Sequence, residues 1–561
     1  MDSLDLRLDQ ALLVAQNLDY PLPITVWSQV DACSNCSYLY QTTVDPGSTG
    51  NIIIDTRYKV TLQVRDGSSS ILSDLSTINS NSNINETLCD LPYRWFTDQG
   101  VYQLNFTSPK EQIKSQCSIS VLKSGRNDLI PIYCAISFYT LIILGSYIYR
   151  RHFSSRRVDI TDQTKPQRLR SLDAFRGLTM IMMIFVNYGS AGYAFLDHAP
   201  WFGLTIADVI FPWFIFIMGV SLSLSIESQV KRGNQSITSI WLKIANRSAK
   251  LFVIGLCLNS KNSYLTSLRI PGVLQRFGVS YFVVATSRLF SIVLYSKVTM
   301  STDDEPPVTL TTLKSIAIFL PELSVYTICL IIYFWATLFW EYDPYCPKGY
   351  QGPGGLHNLG TTFNCTGGAA NRIDKIVLTE NHLYRTATSK EIYHNDLRHD
   401  PEGLLGFANS IVLTAIGSFS GRVILSTKCS RQRILIWLSS SLILGSISVV
   451  LSQTELIPII KNLWSFSFIT CTGSMALIVL TLFYWLIDVW GIWENGKPFI
   501  YPGMNPILLY IGSYVLQGYF PFYFGVDETT HSQQLVRVLI AVNIWFIISY
   551  YLVKRKFFIS L

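Results

Sequence analysis

Long apolar stretches constrain this chain more than any other feature of its sequence. Eleven segments follow one another after residue 128, most of them near the 20 apolar residues that a helix needs to cross a bilayer. The fourth is short, and the second begins with charged residues. We therefore predict a polytopic α-helical membrane protein with about 11 transmembrane helices in a lipid bilayer. The segments lie near 129–149, 173–190, 203–226, 248–260, 271–291, 315–340, 403–425, 434–452, 465–488, 501–520 and 535–553.

The composition agrees with a membrane protein. Charged residues make up 14% of the chain and hydrophobic residues 49%, whereas soluble domains carry about 25% charge. This low share of charged residues and high share of hydrophobic ones excludes a set of soluble domains and a disordered or fibrous chain. Residues 1–127 hold 9 Lys+Arg and 13 Asp+Glu, so the remaining 35 and 24 give residues 128–561 a net charge of +11. No basic module interleaved with aromatic residues stands out, and nucleic acid is not an expected partner.

The part before the first apolar segment is predicted to be a separate domain. Residues 1–127 contain the alternating runs 51–55, 58–64 and 101–106, with turn-rich Asn/Ser/Gly stretches between them. Such runs are typical of short strands, and we predict a small β-rich domain, a sandwich. Residues 128–561 would form the transmembrane domain, with 341–402 as a long loop.

Cysteines and sequons indicate that the N-terminal domain faces an oxidising lumen. A Cys-x-x-Cys pair without a second pair indicates zinc or redox chemistry only weakly, so we expect the disulfides Cys33–Cys36 and Cys89–Cys117. In the long loop, two further cysteines could pair with each other or with the head. The residues concerned are Cys33, Cys36, Cys89, Cys117, Cys346 and Cys365, and the sequons Asn35, Asn85, Asn105 and Asn364.

The distribution of basic residues predicts the orientation. Residues 150–170 hold seven Lys+Arg against two Asp, and the chain ends near Lys554, Arg555 and Lys556. The loop 341–402 instead has six basic and eight acidic residues. By the positive-inside rule, the N-terminal domain is luminal and the C-terminus cytosolic. Met1–Leu13 lacks the apolar run of a signal peptide, so either the chain is a processed or truncated form or the first span exports the head.

Ionisable and amide groups inside the spans are functional candidates, because they are costly in lipid. Arg176 and Asn187 are 11 residues apart, about 16 Å of helical rise, so they would share a face and could line a polar channel. Alternatively, Arg176 extends to the cytosolic surface and Asn187 bonds a neighbouring helix. Asp173 and Arg276 are further polar groups of this kind.

A histidine lies between the second and third spans. His198 could act as a general base or accept an acyl group, although a histidine in a loop is more often only solvated. Asp208, ten residues later, could orient its imidazole, or it could be a structural hydrogen-bonding residue or a partner for Arg276. The other histidines, His531 among them, have no metal-ligand spacing, and no metal is predicted.

Several long motifs make the sequence recognisable. With them, the chain resembles the heparan-α-glucosaminide N-acetyltransferase family over nearly its whole length. The motifs are RLRSLDAFRG at 168–177, VNYG at 186–189, HAPWFGLTIAD at 198–208, FPWFIFIMG at 211–219, RIPGVLQR at 269–276, NCTGGAA at 364–370, DPEG at 400–403, KNLW at 461–464 and YPGMN at 501–505.

The resemblance implies a transmembrane acetylation. Cytosolic acetyl-CoA would donate its acetyl group to the terminal glucosamine of heparan sulfate in the lysosomal lumen. His198 matches the family's active-site histidine and Asn187 its essential asparagine. The wider membrane acyltransferase superfamily has an Arg, ten residues and then a His on an early helix. Here Arg176 fits, but Asn187 stands where that His would be, which moves the role of base to His198.

Other assignments rest on charge and on the predicted topology. Arg170, Arg176, Arg247 and Lys250 are expected near the phosphates of CoA, and Trp201 at the luminal mouth with the 341–402 loop. A homodimer is compatible with this interpretation. The alternatives are a polytopic transporter, disfavoured because the two halves show no convincing repeat, an acetyltransferase for another amino sugar, and a luminal receptor or scaffold.

Overall fold

The computed structural model describes most of the chain. The described residues are 6–67, 87–107, 116–153, 169–232, 236–260, 264–300, 308–385, 389–519 and 530–559. Sequon Asn85 lies outside them.

The N-terminal part is a β-sandwich, which we call the head. One sheet has the order β4-β1-β7-β8 and the other β3-β2-β5-β6, and β1 pairs parallel with β7 while the other neighbours are antiparallel. The predicted β-rich region is confirmed. The strands are β1 (Gln10–Asn17), β2 (Ile24–Val30), β3 (Leu39–Val44), β4 (Thr49–Asp55), β5 (Val60–Asp66), β6 (Thr87–Arg94), β7 (Val101–Thr107) and β8 (Gln116–Lys123).

Alternating apolar residues from both sheets make the core of the head. Leu13 of β1, Val26 of β2, Leu62 of β5 and Phe106 of β7 are at most 1% exposed and belong to one cluster. The expected Cys89–Cys117 disulfide joins β6 to β8 and so ties the two sheets together. Such a cross-link restricts the unfolded chain and stabilises a small domain.

Every predicted apolar segment coincides with helical structure. Among the described residues, seven helices are long and apolar enough to cross a membrane: α3, α5, α6, α9, α10, α11 and α14. The number of about 11 spans stays a prediction. The helices are α1 (Ile130–Phe153), α2 (Arg170–Asn187), α3 (Ile206–Lys231), α4 (Ile237–Asn259), α5 (Val273–Met300), α6 (Val308–Phe334), α7 (Gly368–Leu378), α8 (Lys390–Tyr393), α9 (Leu405–Ser426), α10 (Ser430–Gln453), α11 (Phe466–Phe483), α12 (Ile500–Met504), α13 (Pro506–Val515) and α14 (His531–Lys554).

Two of these helices differ from their predicted bounds. The fourth segment is a 23-residue helix, although its apolar run is short, because its first half carries Lys243 and Arg247 among apolar residues. The segment near 501–520 is divided into α12 and α13 at Asn505, before Pro506. Proline lacks the amide proton that would continue a helix, and it is favoured at the first position of a new one.

Glycines allow the central helices to approach closely. A Cβ on Gly177 of α2 would lie 1.7 Å from the carbonyl oxygen of Phe499, and one on Gly503 of α12 would lie 1.8 Å from that of Asp173. Only hydrogen fits at these positions, as is common where membrane helices cross. The position of α2 is therefore fixed by backbone contact with α12.

The 341–402 loop folds over one end of the helices, on the side of the head. Its Cys346 pairs with Cys365, the first of the two predicted arrangements. Gly354 and Gly355 have φ of +69° and +60°, the left-handed region that glycine adopts in tight turns. The side chain of Asn364 is exposed.

The head contacts this loop through the Cys33–Cys36 disulfide. Both cysteines are buried in a cluster with Trp201 and Tyr393, and Tyr393 Oη donates a hydrogen bond to the carbonyl of Ala32 at 3.1 Å. The disulfide is thus a packing element between head and loop. Of the head's described sequons, Asn35 is exposed and Asn105 is half-buried.

Candidate active site

His198 and Asp208, proposed from the sequence as a pair, are in contact. His198 Nδ1 lies 2.8 Å from Asp208 Oδ1. An ionised carboxylate only accepts hydrogen bonds, so the contact puts a proton on Nδ1 and leaves Nε2 of the neutral imidazole able to take one. The His198 side chain is 32% exposed and that of Asp208 0%. The pair therefore combines an accessible base with a buried orienting group.

The start of α3 explains why Asp208 stays in place. Thr205 is the N-cap and Asp208 the third helical residue, and their side chains and backbone amides bond reciprocally in a capping box. Asp208 Oδ2 also accepts from the amide of Ala199 at 3.2 Å. These donors hold one carboxylate oxygen, and the other remains directed at His198.

Lys461 adds a positive charge to this group. Its Nζ lies 3.8 Å from Asp208 Oδ1, and its side chain is only 14% exposed. The motif 461–464 is part of the family resemblance, but the sequence assigned Lys461 no role. No local pattern could link Lys461 to Asp208, because 253 residues separate them in the chain.

Trp201 packs against the 341–402 loop. It is 1% exposed, its Nε1 donates to the carbonyl of Gln351 at 2.9 Å, and its ring centroid lies 5.2 Å from that of His399. Asn462 Nδ2 donates to the carbonyl of Pro200 at 3.3 Å. The residues around His198 are thus packed against the 341–402 loop. This burial favours a supporting role for Trp201 over direct contact with an acceptor.

Arg276 does not pair with Asp208. It is fully buried, its Nη2 donates to the carbonyl of Gly403 at 3.1 Å, and its guanidinium lies 4.4 Å from the centroid of Trp464. Nearby, burial raises the pKa of Asp374 to about 7, against a lowering effect of the Leu404 amide. Arg276 therefore belongs to a second polar cluster on the head side.

The remainder of that cluster is an ion network. Arg269 Nη2 bonds Asp400 Oδ1 at 2.6 Å and also contacts Glu402. Asp400 and Glu402 are both buried, and the two motifs that contain these residues, 269–276 and 400–403, meet here. Both motifs belong to the family resemblance, but their contact was not predictable from the sequence.

A cavity of about 370 Å³ lies between α2, α3, α4 and α5 and extends away from the head. Its walls are mainly apolar, with two cations and a few hydroxyl groups. Arg176 bonds Asp173 Oδ1 at 2.8 Å and Ser221 Oγ at 2.7 Å. Arg247 lies 4.8 Å from the centroid of Tyr281, and its buried Nε has no hydrogen-bond partner among the described residues. The lining includes Arg176, Met183, Phe211, Ser221, Arg247 and Tyr510.

Helical periodicity relates this cavity to the residues on the head side. Arg176, Met180 and Met183 of α2 line it, and Asn187 is the next residue on that face, about 6 Å further along the axis. On α3, Phe211 lines the cavity and Asp208 precedes it by three residues. The structure therefore confirms that Arg176 and Asn187 belong to one helix. No hydrogen bond from the Asn187 side chain to a described residue is present.

The other two predicted cations lie elsewhere. Arg170, at the start of α2, contacts Asn495 Oδ1, and Lys250 is exposed on α4. Neither lines the cavity, in contrast to Arg176 and Arg247.

Comparisons with known proteins agree with these motifs. Residues 168–303 match the family model described as heparan-alpha-glucosaminide N-acetyltransferase, catalytic. Two relatives carry the name heparan-alpha-glucosaminide N-acetyltransferase. The protein from Mus musculus is 35% identical over 99% of this chain and 89% of its own length. The protein from Homo sapiens is 35% identical over 99% of this chain and 88% of its own length.

Proposed function

The chain belongs to the heparan-alpha-glucosaminide N-acetyltransferase family, and we propose that it transfers acetyl from acetyl-CoA to the terminal glucosamine of heparan sulfate across a membrane. One observation carries the proposal. The His198–Asp208 pair and Asn187 continue, on the head side, the α2 and α3 faces that line a cavity with two arginines. Family membership does not favour a transporter.

Acetyl-CoA would occupy the cavity from the side opposite the head. Its phosphates need cations, and Arg176 and Arg247 both line the wall. The buried Nε of Arg247 supplies a donor that no described residue uses. Apolar side chains such as Met180 and Phe214 suit the acyl and pantetheine chain. Arg170 and Lys250, outside the cavity lining, would contribute only at its entrance.

His198 would act as the base. The acceptor enters as an ammonium, His198 Nε2 takes one proton, and the amine nitrogen attacks the thioester carbonyl. The C–N bond forms and the C–S bond breaks. Of the two protons that the nitrogen loses, the imidazole passes one to the CoA thiolate and the other is released to water. The Asn187 amide would donate to the oxyanion as charge develops. Asp208 would stabilise the imidazolium and hold the ring in this tautomer.

A covalent route uses the same residues. His198 Nε2 would attack the thioester itself, and CoA would leave as the thiolate. The amine would then take acetyl from acetyl-histidine and restore the imidazole, and of the two protons lost by the ammonium one would go to the thiolate and one to water. The Nδ1 contact with Asp208 suits either route because both need Nε2 unprotonated.

Three further residues would support the proposed site. Trp201 and Arg276 would support the loop and the adjoining helices by packing, since both are buried. Asp173 would hold Arg176 in place through their 2.8 Å contact. These three residues would position other groups of the site without contacting the reacting atoms.

We further propose a lysosomal membrane location, with the head luminal and the C-terminus cytosolic, and assembly as a homodimer. This orientation brings amino-sugar substrate to His198 and cytosolic acetyl-CoA to Arg176. It also exposes Asn35 and Asn364 to glycosylation, and Asn85 and Asn105 carry the same sequon. Protection of a C-terminal tag from protease in sealed lysosomes would contradict the orientation.

Replacement of His198 by Ala tests the central assignment. Purified protein in detergent receives acetyl-CoA with labelled acetyl and a terminal glucosamine acceptor at pH 5–7. We expect loss of nearly all transfer in H198A, because the variant loses the imidazole that Asp208 orients. The exposed His394 provides the control H394A, which should keep full activity. Full activity in H198A would overturn the assignment.

The same material separates the two chemical routes. Without acceptor, wild-type protein is mixed with labelled acetyl-CoA, quenched and digested. Label on the peptide that contains His198 supports the acetyl-histidine route, and CoA release only with acceptor present supports direct transfer. An acceptor panel then compares glucosamine with other amino sugars.

A further inference from the structure

Three acidic residues and a histidine converge where the head meets the membrane domain. Asp9 and Asp98 belong to the head, Asp128 to the connection that leads into α1, and His531 begins α14. Ligand atoms of Asp98, Asp128 and His531 all lie within 4.8 Å of one another. His531 Nε2 is 2.9 Å from Asp9 Oδ1. None of these residues takes part in the proposed transfer.

Asp98 is the informative member of the group. It is 1% exposed, and neither carboxylate oxygen accepts a hydrogen bond of normal geometry from any described residue. An unsatisfied buried carboxylate is costly unless a cation or proton compensates it.

Asp128 experiences the same environment. Its ligand oxygen lies within 4.8 Å of the ligand atoms of Asp98 and His531, so two carboxylates here face one imidazole. A positive charge placed between Asp98 and Asp128 would satisfy both.

The imidazole of His531 is held as in a metal-binding histidine. Its Nδ1 lies 3.3 Å from the carbonyl oxygen of Ala191, which can only accept, so Nδ1 carries the proton. The ring stacks on Tyr193 with centroids 4.5 Å apart and planes 20° from parallel. Nε2 is therefore directed at the carboxylates. A backbone carbonyl on the second nitrogen is the usual arrangement for histidine ligands.

We propose that Asp98, Asp128 and His531 bind one divalent cation, with Asp9 as the fourth ligand. One imidazole nitrogen with carboxylate oxygens is a donor set that zinc accepts in tetrahedral geometry, at about 2.0–2.2 Å. Calcium takes six to eight oxygens, so it suits the set less well. Small side-chain rotations bring atoms within 4.8 Å to a common ion. Binding releases any proton shared between His531 and Asp9.

Such an ion would fasten the head to the membrane domain. It would join two points of the head, the connection before α1 and the start of α14. Through the Ala191 carbonyl, it would also hold the turn that precedes His198 by seven residues. The site is separate from the proposed transfer chemistry, so either can fail without the other.

Zinc binding to the full chain tests this site. Purified protein in detergent is stripped with chelator, and ZnCl₂ is then titrated by calorimetry at pH 7, with metal analysis after gel filtration. We expect one zinc per chain and a raised Tm. D98N and H531Q should weaken zinc binding at least tenfold, because loss of even a supporting group around a metal site lowers metal affinity by about 10- to 100-fold. Matched controls D396N and H394Q change exposed residues and should bind as wild type does.

Three results would overturn the proposal. They are no zinc bound by the wild-type chain, equal binding by D98N and the wild type, and preference for calcium over zinc, which would remove His531 from the ligand set. If D98N does not fold, D128N decides, because Asp128 is only half-buried. Equal zinc affinity in a folded D128N would also reject the site.

Discussion

The two halves of the membrane domain differ in what fills them. A cavity of about 370 Å³ with largely apolar walls extends from Phe211 and Val273 into the half opposite the head. The head-side half is filled by polar contacts, among them His198–Asp208 and the Arg269–Asp400 pair, which are largely buried. A long, flexible donor needs space, whereas a single imidazole needs fixed partners. The difference indicates that donor binding and chemistry are separated along α2 and α3.

The largest expected effect comes from the packed half. In D208N, the amide can no longer act as a charged acceptor for His198 Nδ1–H, so the ring loses its tautomer and its counter-charge. We expect kcat to fall about 10³- to 10⁴-fold, as for a catalytic aspartate of this type. The control D197N changes the neighbouring carboxylate, which accepts a hydrogen bond from the His198 backbone amide at 2.7 Å. If kcat of D208N stays within threefold of that of the wild type, the proposal that acetyl transfer depends on the His198–Asp208 pair is wrong.

The next effect tests whether α2 joins the two halves rigidly. In G177A, the added methyl would lie 1.7 Å from the Phe499 carbonyl oxygen, so α2 and α12 must separate. Overpacking of this kind costs about 1–3 kcal/mol, and Tm should fall by several degrees. G145A provides the control, since nothing lies within 4 Å of its added Cβ. An unchanged Tm in G177A would show that the two helices can slide apart at little cost.

A smaller effect is expected from the cavity. R247Q removes one cation from its wall, and Arg176 remains as the other. We expect KM for acetyl-CoA to rise about tenfold, which corresponds to about 1.4 kcal/mol, with kcat nearly unchanged. K250Q is the matched control, because Lys250 is on the same helix but does not line the cavity. Equal effects of the two substitutions would mean that net charge, and not the cavity, attracts CoA.

The smallest effect concerns the surface of the packed half. Glu391 of the loop lies 3.2 Å from Arg57 of the head, and its side chain is 75% exposed. Exposed pairs contribute about 0–1 kcal/mol, so E391Q should lower Tm by no more than about one degree. Y393F, which removes the buried bond to Ala32, should lower it more. The reverse order would mean that surface charges hold the head in place.

Local pattern was enough for much of the fold. The runs 51–55, 58–64 and 101–106 correspond to β4, β5 and β7, because alternate side chains of a strand point to the same face and pack in the core. Apolar segments predicted helices because a backbone in lipid must satisfy its own hydrogen bonds. The proposed Cys33–Cys36 and Cys89–Cys117 pairs are present as well.

Depth and long-range contact were not predictable in this way. Arg170, Arg176, Arg247 and Lys250 look alike in sequence, yet only Arg176 and Arg247 line the cavity. The number of charged residues beside an apolar segment indicates on which side of the membrane they lie. It does not indicate which face of a helix each residue occupies. The absence of metal-ligand spacing around His531 was equally uninformative, because its proposed partners lie more than 400 residues away.

By itself, the sequence determined the membrane class, the β-rich head, the family motifs and the residues His198 and Asp208, all of which depend on periodicity or on short segments. Only the tertiary structure decided that Lys461 approaches Asp208, that two of four cations share a cavity, and that Asp98, Asp128 and His531 meet. The physical reason is that local hydrogen bonding and hydrophobic burial act on neighbours in the chain. Side chains from distant segments meet only when packed helices and a docked head bring them within bonding distance.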